Sequence, residues 1–183
     1  EIVGYTRVWS GYSTNIVGEK GSFEVDVTYA DAPFFEFFSF PLLAGQPHNV
    51  LENMHSIVLT EETARKLFGT TAVIGKTIKA EGEPGSASFI VTGIARSLPS
   101  NSSLQFEAVV PFRYLQSSFN DKDWLNPYLA SFVLLHSGAD VAKVEATMAH
   151  VFQQEAAGQM NRANVRPGEI RYGLQRMSQV HLG

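Results

Sequence analysis

The stretch SIVLTEETARKLFGTTAVIGKTI, residues 56–78, spells out a strand, a helix and a second strand in succession. Ser56-Ile57-Val58-Leu59 is a short apolar run rich in β-branched side chains, the composition of a buried strand. Thr60 follows as an N-cap, with Glu61 and Glu62 in the first turn, where carboxylates face the positive end of the helix dipole. Ala64, Leu67 and Phe68 share one face. Gly69 suits the position just past the helix, because glycine takes the left-handed conformation at little cost. The spacing therefore predicts a helix running to Phe68. The Gly75-Lys76-Thr77 that comes next ends like a phosphate-binding loop, yet its context is reversed. Such a loop follows a strand and opens a helix, so that backbone N–H groups converge on phosphate. Here Gly69 closes a helix, Gly69 to Gly75 is one residue too long, and Lys76-Thr77-Ile78 enters a strand. A nucleotide site is not expected.

Similar patterns extend on both sides. Phe23, Val25, Val27 and Tyr29 alternate with Glu24, Asp26 and Thr28, the period-two signature of a half-buried strand. Residues 32–38 suit a short helix, with Asp31 as cap and Pro33 in the first turn. A strand is expected over residues 76–81, then a turn over 82–86, then a hairpin partner over 88–95. Residues 98–103 read as loop. Further strands are expected over 104–110, 132–136 and 170–177. Asp140 caps the longest helix, whose apolar stripe is Val141, Val144, Met148, Val151 and Phe152 and whose end is expected at Gly158. Strands and helices interleave, which predicts an α+β fold with helices layered on a sheet.

Composition narrows the function classes. The chain has 183 residues, 44% of them hydrophobic and 17% charged, a globular balance. Thirteen phenylalanines predict an aromatic core. The net charge is −4 and the basic residues are scattered, so nucleic acid is not an expected partner. With no cysteine there is no disulfide, thiolate chemistry or Cys-ligated zinc. No apolar run approaches the roughly 18 residues of a membrane span. The chain opens at Glu1 without Met and reads as a piece of something longer.

Few residues suggest chemistry. His48, His55, His136, His150 and His181 contain no pair spaced three or four apart, so no helical metal pair is present. Glu24 and Asp26 share a strand face that could hold paired carboxylates; a solvated sheet face is the default reading. No Gly-x-Ser-x-Gly elbow occurs. Phe34 and Phe38 fall on one helix face, and Phe35 and Phe37 cannot both join them. Either the short helix is buried all round, the favoured reading, or Phe35 and Phe37 form a patch for a partner. Residues 173–177 read as strand packing. From the residues alone, the chain is an α+β binding or mechanical module.

A set of ordered blocks goes further. YADAPFFEFFSFPLLAG (29–45), SIVLTEETARKLFG (56–69), IGKTI (74–78), FIVTGI (89–94), LPSNSSLQFE (98–107) and LQRMSQVHL (174–182) resemble, in order, the blocks of the MacB-like periplasmic core domain. This is the extracytoplasmic domain of FtsX-like ABC transporter permeases, here of the Bacteroidetes type. The family often has Pro in place of Arg176, and residues 114–126 match poorly. The resemblance implies a domain set between two membrane helices and built of two lobes. A Porter-like βαβ lobe comes from both chain ends, residues 1–39 and 104–183. A strand-rich Sabre-like lobe with one helix, residues 40–103, is inserted between them.

The resemblance also implies a role. The domain would be non-enzymatic, with no cofactor, metal or catalytic residue, and would pass conformational change between a cytoplasmic ATPase and a periplasmic substrate or adaptor. ATP would be hydrolysed by a subunit or domain that this chain does not contact. A second permease copy would complete a dimer or pseudo-dimer at the periplasmic face of the inner membrane. The competing reading is a free-standing periplasmic module that binds a ligand or protein in an apolar pocket.

Overall fold

The computed structural model describes residues 1–81, 86–99, 102–118, 124–126, 128–166, 168–170 and 173–179. The expected α+β architecture is present, with eight strands in one sheet and four helices among the described residues. The strands are β1 (Ile2–Gly18), β2 (Gly21–Ala30), β3 (Leu42–Ala44), β4 (Ser56–Thr60), β5 (Thr77–Glu81), β6 (Ala87–Ala95), β7 (Ala108–Pro111) and β8 (Ala130–Leu135). The helices are α1 (Phe34–Phe37), α2 (Glu61–Phe68), α3 (Phe112–Ser118) and α4 (Val141–Arg162).

The pairings close six strands into a ring. β1 runs antiparallel to β2, from Gly18↔Gly21 back to Val8↔Ala30, with a register shift between Trp9 and Tyr12. β2 lies parallel to β7, with Val27↔Ala108. β7 runs antiparallel to β4, and β4 runs parallel to β6. β6 forms the expected hairpin with β5, with Ile78↔Phe89. β5 then returns to β1 through Asn15↔Glu81, Ile16↔Ala80 and Val17↔Lys79. β3 adds to β6, and β8 extends the sheet beyond β1. Closure removes the free edges that an open sheet would expose, and it directs alternate side chains of each strand inward.

The chain divides into two compact units, one of Thr6–Asn120 and Leu129–Phe132, the other of Glu1–Tyr5, Asp121–Tyr128 and Val133–Gly183. The first contains the barrel. Ile16, Val25, Ile57, Leu59 and Val91 are buried, and all five residues of β4 are buried because both of its faces are covered. A second core on the outside joins Phe34, Phe35, Val50, Leu51, Val58, Phe106 and Val109. Full burial of one such side chain contributes about 1.5–3 kcal/mol. Residues 1–39 and 104–183 contribute β1, β2, β7 and β8 to this sheet, and residues 40–103 contribute β3, β4, β5 and β6.

α2 is built as its sequence dictates. The Thr60 hydroxyl accepts the Thr63 N–H, Glu61 pairs with Arg65 one turn on, and Gly69 closes the helix at φ +78°. Lys76 pairs with Glu19 at 2.6 Å and lies 5.1 Å from the Phe68 ring centre, and Thr77 begins β5. The Gly-Lys-Thr is thus a turn between a helix and a strand.

Four expectations are corrected. α1 has Pro33 at its N-cap position and no side-chain cap. The Asp31 carboxylate is taken instead by Arg7, whose backbone N, Nε and Nη2 all donate to it at 2.8–2.9 Å, a forked geometry that a helix N-terminus cannot match. The strand expected from residue 104 begins only at Ala108; Leu104 and Phe106 bury against the phenylalanine cluster, so their alternation came from packing. α4 does not stop at Gly158. It runs to Arg162 because Ala156 and Met160, on either side, are buried and offset the cost of about 1 kcal/mol for an internal glycine. The strand expected over 170–177 is absent from residues 173–177. The Leu174 N–H donates to Glu145 Oε1 and a 3-10 turn forms at Met177–Gln179; residues 171, 172 and most of the turn at 82–86 lie outside the described residues.

The second unit, taken by itself, is organised on α4. Asp140 caps it as expected, with Oδ1 accepting the Lys143 N–H. The buried face is Val144, Phe152, Ala156 and Met160, while Val141 and Val151 are exposed, so the stripe lies one step around from its expected line. Leu125, Val165 and Ile170 pack on that face, and the Trp124 ring meets Phe152 edge-on. Glu1 binds the start of the helix, accepting the Asp140 N–H and pairing with Lys143 at 3.4 Å.

Candidate functional site

The inward alternation of the ring places one set of side chains at its interior. Tyr12 comes from β1, Tyr29 from β2, Ile57 from β4, Ala80 from β5, Phe89 from β6 and Val110 from β7. Each strand of the ring contributes, and Tyr114 joins them from α3. They line a partly open pocket of ≈ 20 Å³. Ala80 and Ala87 face each other across the β5–β6 ladder, and their small size leaves the space.

Aromatic rings dominate the wall. Trp9 stacks on Tyr29 at 5.5 Å between ring centres and on Tyr12 at 6.0 Å. Phe89 meets Tyr114 edge-on at 4.8 Å, and the exposed His55 ring lies 5.8 Å from Tyr114. Thr14 donates its hydroxyl to the Glu81 carbonyl at 2.7 Å, tying β1 to β5 at the rim. Burial, with Tyr12 and Tyr114 adding to it, pushes the Tyr29 phenol well above the ordinary tyrosine range. Burial and then Tyr12 raise Tyr114 as well. Desolvation penalises the phenolate, so these groups stay neutral and act as hydrogen-bonding hydroxyls. They are not poised as bases or nucleophiles near neutral pH.

The residues singled out in the sequence lie elsewhere. Phe35 is 1% exposed, locked edge-on between Phe34 and Phe106, and offers no surface to a partner. Phe37 is half-buried against Phe38 at 5.0 Å. Asp26 accepts from the Ser13 hydroxyl, and its backbone N–H donates to Glu107; Glu24 is approached through its carbonyl by Lys66. Among the described residues no group of three or more His, Asp or Glu is placed to hold a metal, and His181 lies outside them. Nor is any described helix long and apolar enough to cross a membrane. Tyr29 was legible as an inward position of its strand. Tyr12 and Tyr114 carried no signal of their own, since β1 and α3 were not read from the sequence. A shallow groove of ≈ 640 Å³ in the α4 unit runs beside Ala146, Ala149 and Phe152.

Comparison with known proteins fits this architecture. The family described as MacB-like periplasmic core domain matches residues 2–151. No curated protein matches the chain. Among solved structures, a domain of a protein assigned as a permease from Porphyromonas gingivalis is similar at 21% identity with a TM-score of 0.74, covering 96% of this chain and 76% of that one. The periplasmic region of MacB from Actinobacillus actinomycetemcomitans is similar at 14% identity and TM-score 0.59, covering 90% and 78%. The extracellular domain of the noncanonic ABC-type transporter YknZ, from Gram-positive bacteria, is similar at 15% identity and TM-score 0.61, covering 96% and 82%. At these identities the structural likenesses establish the fold.

Proposed function

The chain belongs to the MacB-like periplasmic core domain family, and from that premise we propose that it is a non-catalytic, extracytoplasmic domain of an ABC transporter permease. It sits at the periplasmic face of the inner membrane and passes on conformational change driven by ATP hydrolysis elsewhere. Its partners in that role are a cytoplasmic ATPase that it does not touch, a second permease copy, and a periplasmic adaptor or substrate. The family match over residues 2–151 carries the reading. Two features support it. The interior hydroxyls are neutral, which suits structure over acid–base chemistry. The closed ring is stiff in the way a force-transmitting part needs to be, because any strand displacement must break ladders on both sides. Within this reading the inserted lobe is residues 40–103, and α2 is its one helix among the described residues.

The test uses the absence of cysteine. Ser88, exposed on β6, is changed to Cys in the full membrane protein that carries this domain, with accessible thiols elsewhere removed. A membrane-impermeant maleimide should label it in intact spheroplasts, at a rate that differs between ATP-depleted and energised cells. Labelling only after lysis would overturn the location. Labelling at one unchanging rate would count against the coupling.

A further inference from the structure

The ring leaves two strands outside it: β3, which adds to β6, and β8, which adds to β1. A strand at the end of a sheet presents a row of backbone N–H and C=O groups with no ladder partner, and folded chains guard such edges. Common guards are shortness, a lysine or other charge, and a proline. β3 is guarded by its length of three residues. β8 is not guarded in any of these ways. It runs for six residues, ASFVLL, without a charge or a proline, and Leu134 on it is 54% exposed. Residues 124–139, which contain it, include no Asp, Glu, Lys or Arg, in a chain that is 17% charged and carries a net charge of −4. Among the described residues no strand other than β1 pairs with β8.

We propose that β8 is the edge by which two copies of this domain join, its free side pairing antiparallel with the same strand of a second copy across a two-fold axis. The inference deepens the reading above, in which a second permease copy is a partner, and rests on it for the presence of that copy. Symmetry and charge select this occupant. Antiparallel pairing of a strand with its own copy is self-complementary, so each molecule supplies the donors and acceptors that the other lacks. The contact closes on itself: two open edges are used and none is created. A strand added by another protein brings a second edge of its own and moves the exposed row outward. Charge acts in the same direction. Two copies of an acidic chain repel one another, and the uncharged segment around β8 lets them approach without like charges meeting.

The experiment uses the full membrane protein with accessible thiols removed, since this chain supplies none of its own. Ala130→Cys, Ser131→Cys, Val133→Cys and Leu134→Cys are made singly and oxidised in membranes with copper phenanthroline. A disulfide-linked dimer should form at the position nearest the axis and fall away on either side, while Ser88→Cys on β6 stays monomeric. Leu134→Lys, combined with the most reactive of the other three cysteines, sets like charges across the joint and should lower the cross-linked fraction roughly tenfold. Should that variant be poorly made, Ser131→Lys gives the same readout from the other exposed position of β8. No dimer at any of the four positions would overturn the proposal. A cross-link to a different protein would overturn it as well, by giving the edge to that protein. So would β8 amides protected from exchange in the full protein without a cross-link, which would mean that a strand of the same polypeptide covers the edge. Ser88→Cys reports the location independently, so a domain labelled from outside yet not cross-linked through β8 fails the edge pairing and not the periplasmic reading.

Discussion

The barrel and the α4 unit solve the same problem by different means. In the barrel, each strand of the ring has neighbours on both sides, and a core forms on either side of β4. The α4 unit relies on one long helix, four buried residues along it and polar side chains near its start: Asp140 and Glu1 at the cap, Glu145 binding the returning chain. The contrast teaches where cooperativity comes from. Non-local ladders and two interlocked cores make the barrel a unit that melts as a whole. A helix held by caps and a narrow apolar stripe opens at lower cost.

The largest expected effect separates the two directly. Phe34 is fully buried and makes ring contacts with Phe35, Phe38, Phe40 and Phe106, so Phe34→Ala should cost about 3–5 kcal/mol in urea unfolding followed by tryptophan fluorescence. Hydrogen exchange should then show the protection of β2, β4 and β7 falling together. Phe152→Ala should strip protection from α4 amides and leave the β4 and β6 ladders protected. Loss of both at once would break the comparison.

Next in size is a pH effect confined to the barrel. The Tyr29 pKa is raised in the folded state, so the folded chain holds its proton where the unfolded chain releases it. The stabilisation is fully present below the ordinary tyrosine value of about 10. Above that value stability is lost by about 1.4 kcal/mol per pH unit until the folded-state pKa is reached. Alkaline unfolding monitored by β-sheet circular dichroism should therefore begin above that pH, and Tyr29→Phe should flatten the slope. A flat profile in the unsubstituted chain would show that the phenol is not buried as described. In the other unit, Asp140→Ala removes an N-cap and should cost about 1 kcal/mol, read as faster exchange in the first turn of α4. No change in those amides would shift the weight to Glu1.

What was legible in the sequence follows the same division. β2, β4, α2, the β5–β6 hairpin and the Asp140 cap could be read because each is specified by neighbouring residues: alternation, a capping threonine, a left-handed glycine. β1, seventeen residues long, was not read, because its buried positions fall in two short alternating runs, Thr6 and Val8, then Thr14 and Ile16, broken by the shift between Trp9 and Tyr12, and its first four residues are largely exposed. Its register, including the shift between Trp9 and Tyr12, is set by β2, β5 and β8, which no local window contains. Ring closure was illegible for the same reason. The pocket followed it out of reach, since its walls come from six strands and a helix spread over about a hundred residues of chain. The errors in α4 and at residues 104–107 have the opposite origin. There a local rule, glycine as a stop and alternation as a strand, was overridden by tertiary burial of Met160, Leu104 and Phe106.

The smallest effect tests whether local signals, where they can be read, also carry energy. Glu61 and Arg65 pair across one turn of α2, in the orientation that favours the helix dipole, with the arginine side chain more than half exposed. An exposed pair of this kind contributes about 0.3–0.5 kcal/mol and is screened by salt. Glu61→Gln should therefore lower stability by no more than that at low ionic strength and by almost nothing in about 1 M salt, where the Debye length is about 3 Å. The Thr60 hydroxyl on the Thr63 N–H, a bond inside the buried end of the helix, should be indifferent to salt. If Thr60→Ala cost no more than Glu61→Gln, the cap that makes α2 so readable would be a marker of the helix and not a support for it. A larger, salt-independent loss for Thr60→Ala would show that the same residue that announces the helix also anchors it against β4, since Thr60 is both the last residue of that strand and the first cap of α2.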